Sequence, residues 1–208
     1  WSFLLAFPII AAIPILAEFA QHVIEMQAGM YTGPDGMRAA ELDPARMAFG
    51  FAKALALALI LAGTALTLTL MGRPLICTCG WVELWHGATD DSGNSQHLID
   101  WYTPSHVLHG LIFYGVLWLV ARRLSLGARL VIATLVEAAW EIAENTDAVI
   151  DRYRAATIAL DYHGDSVVNS LADIGAMWLG FALARVLPVW ASVALFLTAE
   201  AVTVALIR

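Results

Sequence analysis

Apolar residues run along this chain in blocks of about twenty, separated by polar stretches of unequal length. A block of that length and composition is what a membrane-crossing helix requires. The pattern predicts about six spans: Trp1 to about Ala20, Met47–Met71, Pro104–Val120, Leu126–Asn145, Ser166–Val186 and Pro188–Ile207. The connections 26–46, 72–103 and 146–165 are polar, while 121–125 and Leu187-Pro188 are tight turns. Thr103 can cap the third span, with Pro104 at its first helical position. In spans four and five the apolar pattern breaks along one side only. Glu137, Glu141 and Glu144 follow an i, i+4, i+7 spacing, and Asp165, Asn169 and Asp173 an i, i+4, i+8 spacing, so each set forms one helical stripe. Such helices belong in the interior of a bundle. The expected fold is an all-α, polytopic transmembrane bundle. Residues 1–70 would form two helices with a polar loop, and 71–208 a four-helix domain carrying the polar cluster.

Composition excludes the main alternatives. The 208 residues are 60% hydrophobic and 14% charged, with a mean hydropathy of +0.72, against about 45–50% and about 25% in soluble domains. A water-soluble globular enzyme and a disordered chain are both ruled out. The net charge of −7 leaves no basic face for nucleic acid. Eight Trp and five Tyr suit many membrane–water interfaces. With the start of the chain outside, seven of the eleven Lys and Arg fall in inner segments and four in outer ones. The positive-inside rule then places 121–129 inside and the loops 72–103 and 146–165 outside. Cys77 and Cys79 are the only cysteines. Two are too few for a disulfide framework, Cys-x-Cys is a strained disulfide spacing, and two thiols alone do not complete a zinc site.

Topology brings three sets of polar residues to one end of the bundle: His106 and His109 entering span three, Glu137, Glu141 and Glu144 leaving span four, and Asp165, Asn169 and Asp173 entering span five. Ionisable residues at membrane depth cost at least ~2.5–3.5 kcal/mol each and are functional candidates by default. Crowded carboxylates in a low dielectric must be protonated, paired or bound to a cation. Glu141 and Asp173, with Glu137 and Asp165, are the candidate acid/base groups. Asn169, His106, His109 and Arg154 are the candidate substrate contacts. His106, His109, Glu141 and Asp173 are the candidate ligands of a divalent metal. Asp165 also suits a plain helix N-cap, and the deepest acids suit a buried network that fixes helix packing. Arg152 or Arg154 is expected to reach back to Glu144, Asp147 or Asp165. Glu18, His22 and Glu25 form a separate stripe at the opposite face. Two functional readings follow. One is a membrane-embedded hydrolase or transferase acting on a lipid or membrane-anchored substrate. The other is a non-catalytic accessory subunit docking with other membrane subunits.

Four stretches carry a resemblance: MGRPLICTCG (71–80), NSQHLIDWYTPSHVLHG (94–110), EAAWEIAENT (137–146) and YRAATIALDYHGDSVVNSLAD (153–173). They resemble a family of small integral membrane proteins from alphaproteobacteria, to which no activity is assigned. The resemblance covers about residues 71–208 and implies a multi-pass location in the bacterial inner membrane. EFAQHVIEMQAGMY (18–31) and ARMAFGFAK (45–53) resemble a different hypothetical membrane protein.

Overall fold

The computed structural model describes residues 44–88, 91–156 and 162–206. The first expected span and the Glu18, His22, Glu25 stripe lie outside the described residues. Among the described residues the chain is all-helical, with six helices. They are α1 (Pro44–Leu70), α2 (Thr103–Val120), α3 (Leu126–Glu144), α4 (Asp147–Ala156), α5 (Val167–Val186) and α6 (Val189–Leu206). Among the described residues three segments are long and apolar enough to cross a membrane: Ala48–Leu70, Thr103–Val120 and Val167–Val186. α3 is of similar length, but Arg129, Glu137, Glu141 and Glu144 interrupt its apolar sequence. In α6 the apolar stretch Val189–Val202 is shorter. Large apolar side chains such as Leu59, Leu70, Val120 and Trp190 point outward, a surface that suits lipid better than water.

Local chemistry sets the helix ends. α1 is rich in Ala and Leu, both strong helix formers, and stops at Gly72, whose φ is +86°. Arg73 N–H reaches back to the Leu68 carbonyl and Gly72 N–H to that of Thr69, both at 3.0 Å; this is a Schellman ending. The start of α2 differs from expectation, because Asp100 supplies the cap in place of Thr103. Asp100 Oδ1 accepts from the N–H groups of Tyr102 and Thr103, and Thr103 Oγ1 accepts from Asp100 N–H. Ser125 caps α3. The cap of α5 is Ser166, accepting from Asn169 N–H at 3.2 Å, which leaves Asp165 free of that duty. α4 occupies a stretch read as loop. It is short, with Asp147 in its first turn and Arg154 in its last, and it buries only Ile150.

The tightest crossing is between α2 and α5. A Cβ on Gly110 would lie 2.0 Å from the Met177 carbonyl oxygen, and one on Gly180 would lie 1.9 Å from that of Val107. The two backbones therefore touch, as small residues allow in membrane bundles. Leu57 from α1, Leu130, Ala133 and Ala138 from α3, and Ile174, Met177, Trp178 and Phe181 from α5 form the core beneath. Trp178 donates its indole N–H to Thr134 Oγ1 at 2.7 Å, and the Thr134 hydroxyl donates to the Leu130 carbonyl at 2.8 Å, so both donors in that layer are satisfied.

The loops 72–103 and 146–165 pack together at one end. Ser166 N–H binds the Ser95 carbonyl, Val167 N–H that of Pro74, and Gln96 Nε2 that of Gly164. Arg73 reaches Asp147 Oδ1 at 3.0 Å and the His163 carbonyl. Arg154 pairs with Asp151 and His163 instead of the acids expected of it, and Arg73, from the other loop, takes Asp147. Asp147 is 86% exposed, so this ion pair alone contributes little; the carbonyl contact adds to it. Replacing Arg73 by methionine is expected to cost ~1 kcal/mol, lowering the melting temperature in detergent by about 2–4 °C.

Candidate functional site

His106 and His109 lie one turn apart on α2, facing the acid stripe of α3. His106 Nδ1 is 2.7 Å from Glu137 Oε1 and 3.3 Å from Glu141 Oε1. Its Nε2 lies 3.8 Å from Asp173 Oδ2 on α5. His109 Nδ1 is 3.0 Å from both Glu137 oxygens, and its ring is wedged between Phe113 and Trp140. One imidazole thus sits among three carboxylates from two helices. Glu137, Glu141, Asp173 and His106 are all buried, and His109 is half-buried. The structure therefore brings His106, His109, Glu137, Glu141 and Asp173 together in one layer. Glu144 joins them, since ligand atoms of His106, Glu141 and Glu144 fall within 4.8 Å of one another, as do those of His106, His109 and Glu137.

The acids differ in how they are satisfied. Glu137 has both imidazoles. Glu141 has neither oxygen hydrogen-bonded, and Asp173 Oδ1 also lacks a partner. Five carboxylates (Glu137, Glu141, Glu144, Asp165 and Asp173) face two imidazoles at most, so the acids outnumber the groups of the centre that can carry positive charge. A buried carboxylate without a donor is costly unless a proton or a cation joins it.

Asp165 and Asn169 sit at the edge of this layer and are already engaged. Asp165 Oδ2 accepts from Asn145 Nδ2 and Oδ1 from the Tyr162 hydroxyl, both at 2.8 Å. Burial pushes its carboxyl above the usual range, while the hydrogen bonds from Tyr162 and Asn145 pull the other way. Asn169 Nδ2 donates to the His97 carbonyl at 2.8 Å, anchoring the outer loop over α5. Arg154 lies in α4, apart from the buried layer. Asn145, the C-cap of α3, and Tyr162 also belong to this edge. Asn145 is buried and binds the Glu141 carbonyl, the Asp165 side chain and Asp165 N–H. Its position one residue after the Glu stripe is the signal that marks it. Asn145→Ala is expected to cost ~2–4 kcal/mol, because it strands a buried carboxylate oxygen and a buried N–H; chemical or thermal unfolding in detergent measures this.

A second set of reactive groups lies in the outer loop. His86 Nε2 is 2.9 Å from Asp91 Oδ1, and its Nδ1 is 3.3 Å from Glu83 Oε2. Burial opposes charge on His86, but its hydrogen bonds to Asp91 and Glu83 outweigh burial and hold its pKa above the usual value. His97 moves down, through burial and then the neighbouring His86. The signs are opposite. The contribution of His86 is complete below about pH 6.5 and is lost as pH rises through its raised value; that of His97 is complete above about pH 6.5 and is lost as pH falls. In a histidine NMR titration, His86 is expected to titrate above 6.5 and His97 below it, and Asp91→Asn to move His86 downward.

A family model described as "Protein of unknown function (DUF2585)" matches residues 68–208. The match covers the stretch that the sequence motifs assigned to an alphaproteobacterial family. A UPF0314 protein of Paracoccus denitrificans is 65% identical over 150 residues, covering 72% of this chain and 78% of that protein. A UPF0314 protein of Sinorhizobium fredii is 56% identical over 143 residues, covering 69% and 73%. A third, from Novosphingobium aromaticivorans, is 47% identical over 163 residues, covering 76% and 79%. No solved structure matches the chain.

Proposed function

The chain belongs to the DUF2585 family, and on that premise we propose that its activity resides in the buried His/Glu/Asp centre. The centre is a divalent-cation site in a multi-pass inner-membrane protein, and it serves a hydrolase or transferase acting on a lipid or membrane-anchored substrate. The observation that carries this reading is Glu141, buried, with neither oxygen in a hydrogen bond of good geometry, its Oε1 3.3 Å from His106 Nδ1, and with Glu144 in the same group of ligand atoms. A mixed imidazole and carboxylate set suits zinc, manganese or iron. A cation there would polarise a substrate oxygen and lower the pKa of a bound water. The chain's own groups have distinct tasks. His106, Glu141 and Glu144 hold the cation. Glu137 and His109 fix the His106 ring, as outer partners of metal ligands do. Asp173, with one unpartnered oxygen, is the proton acceptor or donor. Asn169 and Asp165 hold the outer loop and the head of α5 over the centre, and Arg154 meets the substrate's polar part at the surface. The Lys and Arg bias puts this end of the bundle outside.

Reconstituted into vesicles of bacterial lipids, the protein is expected to release a headgroup or acyl product detectable by mass spectrometry. A chelator should stop that release and added manganese or zinc should restore it. The accessory-subunit reading is favoured by the closed half of the network, where Glu137 is saturated by histidines and Asp165 by Asn145 and Tyr162. Cation retention without any lipid turnover supports that second reading and overturns the first.

A further inference from the structure

Cys77 and Cys79 stand near the start of the outer loop, and the structure joins them in a disulfide. A bridge between residues two positions apart closes almost no loop, so it removes little entropy from the unfolded chain and serves poorly as a staple. Its surroundings suit exchange chemistry instead. Cys77 is buried, whereas Cys79 is half-buried. The Cys79 backbone N–H donates to Cys77 Sγ at 3.1 Å, a contact that favours a thiolate on Cys77. His97, 3% exposed, has a ring nitrogen within 4.8 Å of both sulfurs. Its Nδ1 accepts a hydrogen bond from Glu83 N–H at 3.1 Å, so the neutral ring carries its proton on Nε2. That tautomer makes His97 a donor and leaves no free lone pair to bind a metal.

We propose that Cys77 and Cys79 form a redox-active pair exchanging with an external dithiol, and that His97 stabilises Cys77 as the leaving thiolate. The partner's thiolate attacks Cys79 Sγ, the more accessible sulfur. The Cys77–Cys79 bond breaks, and Cys77 leaves with the electron pair. The partner's second thiol, as thiolate, then attacks the mixed disulfide and releases Cys79. The partner departs as a disulfide, oxidised by two electrons; Cys77 and Cys79 gain those electrons and the two protons the partner's thiols gave up. This inference is independent of the buried centre.

The test equilibrates the full chain in detergent with mixtures of reduced and oxidised dithiothreitol at pH 7, then blocks free thiols with a maleimide and weighs the protein. The native disulfide is expected to half-open at a reduced-to-oxidised ratio about tenfold lower than the same disulfide in the urea-unfolded chain. His97→Asn should bring the two ratios together. A parallel arm with a reduced two-cysteine peptide distinguishes a protein partner from a small thiol by its relative rate. A native ratio equal to or above that of the unfolded chain overturns the proposal. So does a folded His97→Asn variant that behaves as wild type, or a reduced protein that takes up zinc and no longer reacts with the dithiol. If His97→Asn does not fold, the wild-type comparison alone decides.

Discussion

Replacing Gly180 by valine is expected to leave no folded protein, and replacing it by alanine to cost more than about 3 kcal/mol. Ordinary overpacking of a core costs ~1–3 kcal/mol because neighbouring side chains move aside. Here the obstacle is backbone: a Cβ on Gly180 falls 1.9 Å from the Val107 carbonyl oxygen, and a Cβ on Gly110 falls 2.0 Å from that of Met177. No rotamer change relieves either clash, so α2 and α5 must separate. Separation also damages the site. Val107 follows His106 directly, and Gly180 lies two turns below Asp173, so the crossing sets the 3.8 Å approach of His106 Nε2 to Asp173 Oδ2. Size-exclusion profile and melting temperature of Gly180→Ala, Gly110→Ala and a control at Gly63 test this. Nothing lies within 4 Å of a Cβ added at Gly63, so Gly63→Ala should be neutral or slightly stabilising. A Gly180→Ala protein melting within about 1 °C of wild type would contradict the close crossing.

The second large effect runs in opposite directions for stability and activity. Glu141→Leu is expected to stabilise the cation-free protein by about 1–4 kcal/mol while abolishing turnover. The reason is that Glu141 is fully buried and neither oxygen receives a hydrogen bond. Exchanging such a group for an apolar one of similar volume removes a desolvation cost and gives up only a 3.3 Å approach to His106 Nδ1, which keeps Glu137 at 2.7 Å. A binding or catalytic centre keeps such groups at the expense of stability. Glu137 provides the contrast, because it accepts from His106 and His109, so Glu137→Leu should destabilise by ~3–5 kcal/mol. Thermal unfolding of both variants with chelator present, beside their activity in vesicles, separates a site from a packing network. In a purely structural network both substitutions lower stability.

The helices that carry the site were legible because their periodicity is a local property. The stripe of Glu137, Glu141 and Glu144 and that of Asp165, Asn169 and Asp173 read directly as inward faces. The predicted 104–120, 126–145 and 166–186 correspond to α2, α3 and α5 within a residue or two. Among the described residues, which hold five of the six expected spans, three helices meet the length and hydropathy of a span, partly because α3 carries the site's own charges. Other features depend on what the fold brings together. Gly110 and Gly180 sit within apolar runs, and only the crossing of two helices gives them a task. Asn169, a candidate substrate contact, also donates its amide N–H to the His97 carbonyl, some seventy residues away, a partner that no local pattern reveals. Arg73 displaced Arg154 as the partner of Asp147 because the Schellman end of α1 aims it across the loops. Two features of the structure have a local signal in the sequence. Asp100, three residues before Thr103, has the spacing of a cap. Asp147, Asp151 and Arg154 are distributed as a short helix prefers its charges.

The most direct measurement is the metal content and affinity of the purified chain. Inductively coupled plasma mass spectrometry on protein prepared without chelator should find one divalent transition-metal ion per chain in wild type and in Arg152→Ala, a surface control. Titration of the chelator-stripped protein should show an affinity at least about 100-fold weaker in His106→Ala and Glu141→Gln. A wild-type chain that carries no such ion and binds none on titration, or an ion retained equally by Glu141→Gln, would contradict the assignment of the buried centre as a cation site.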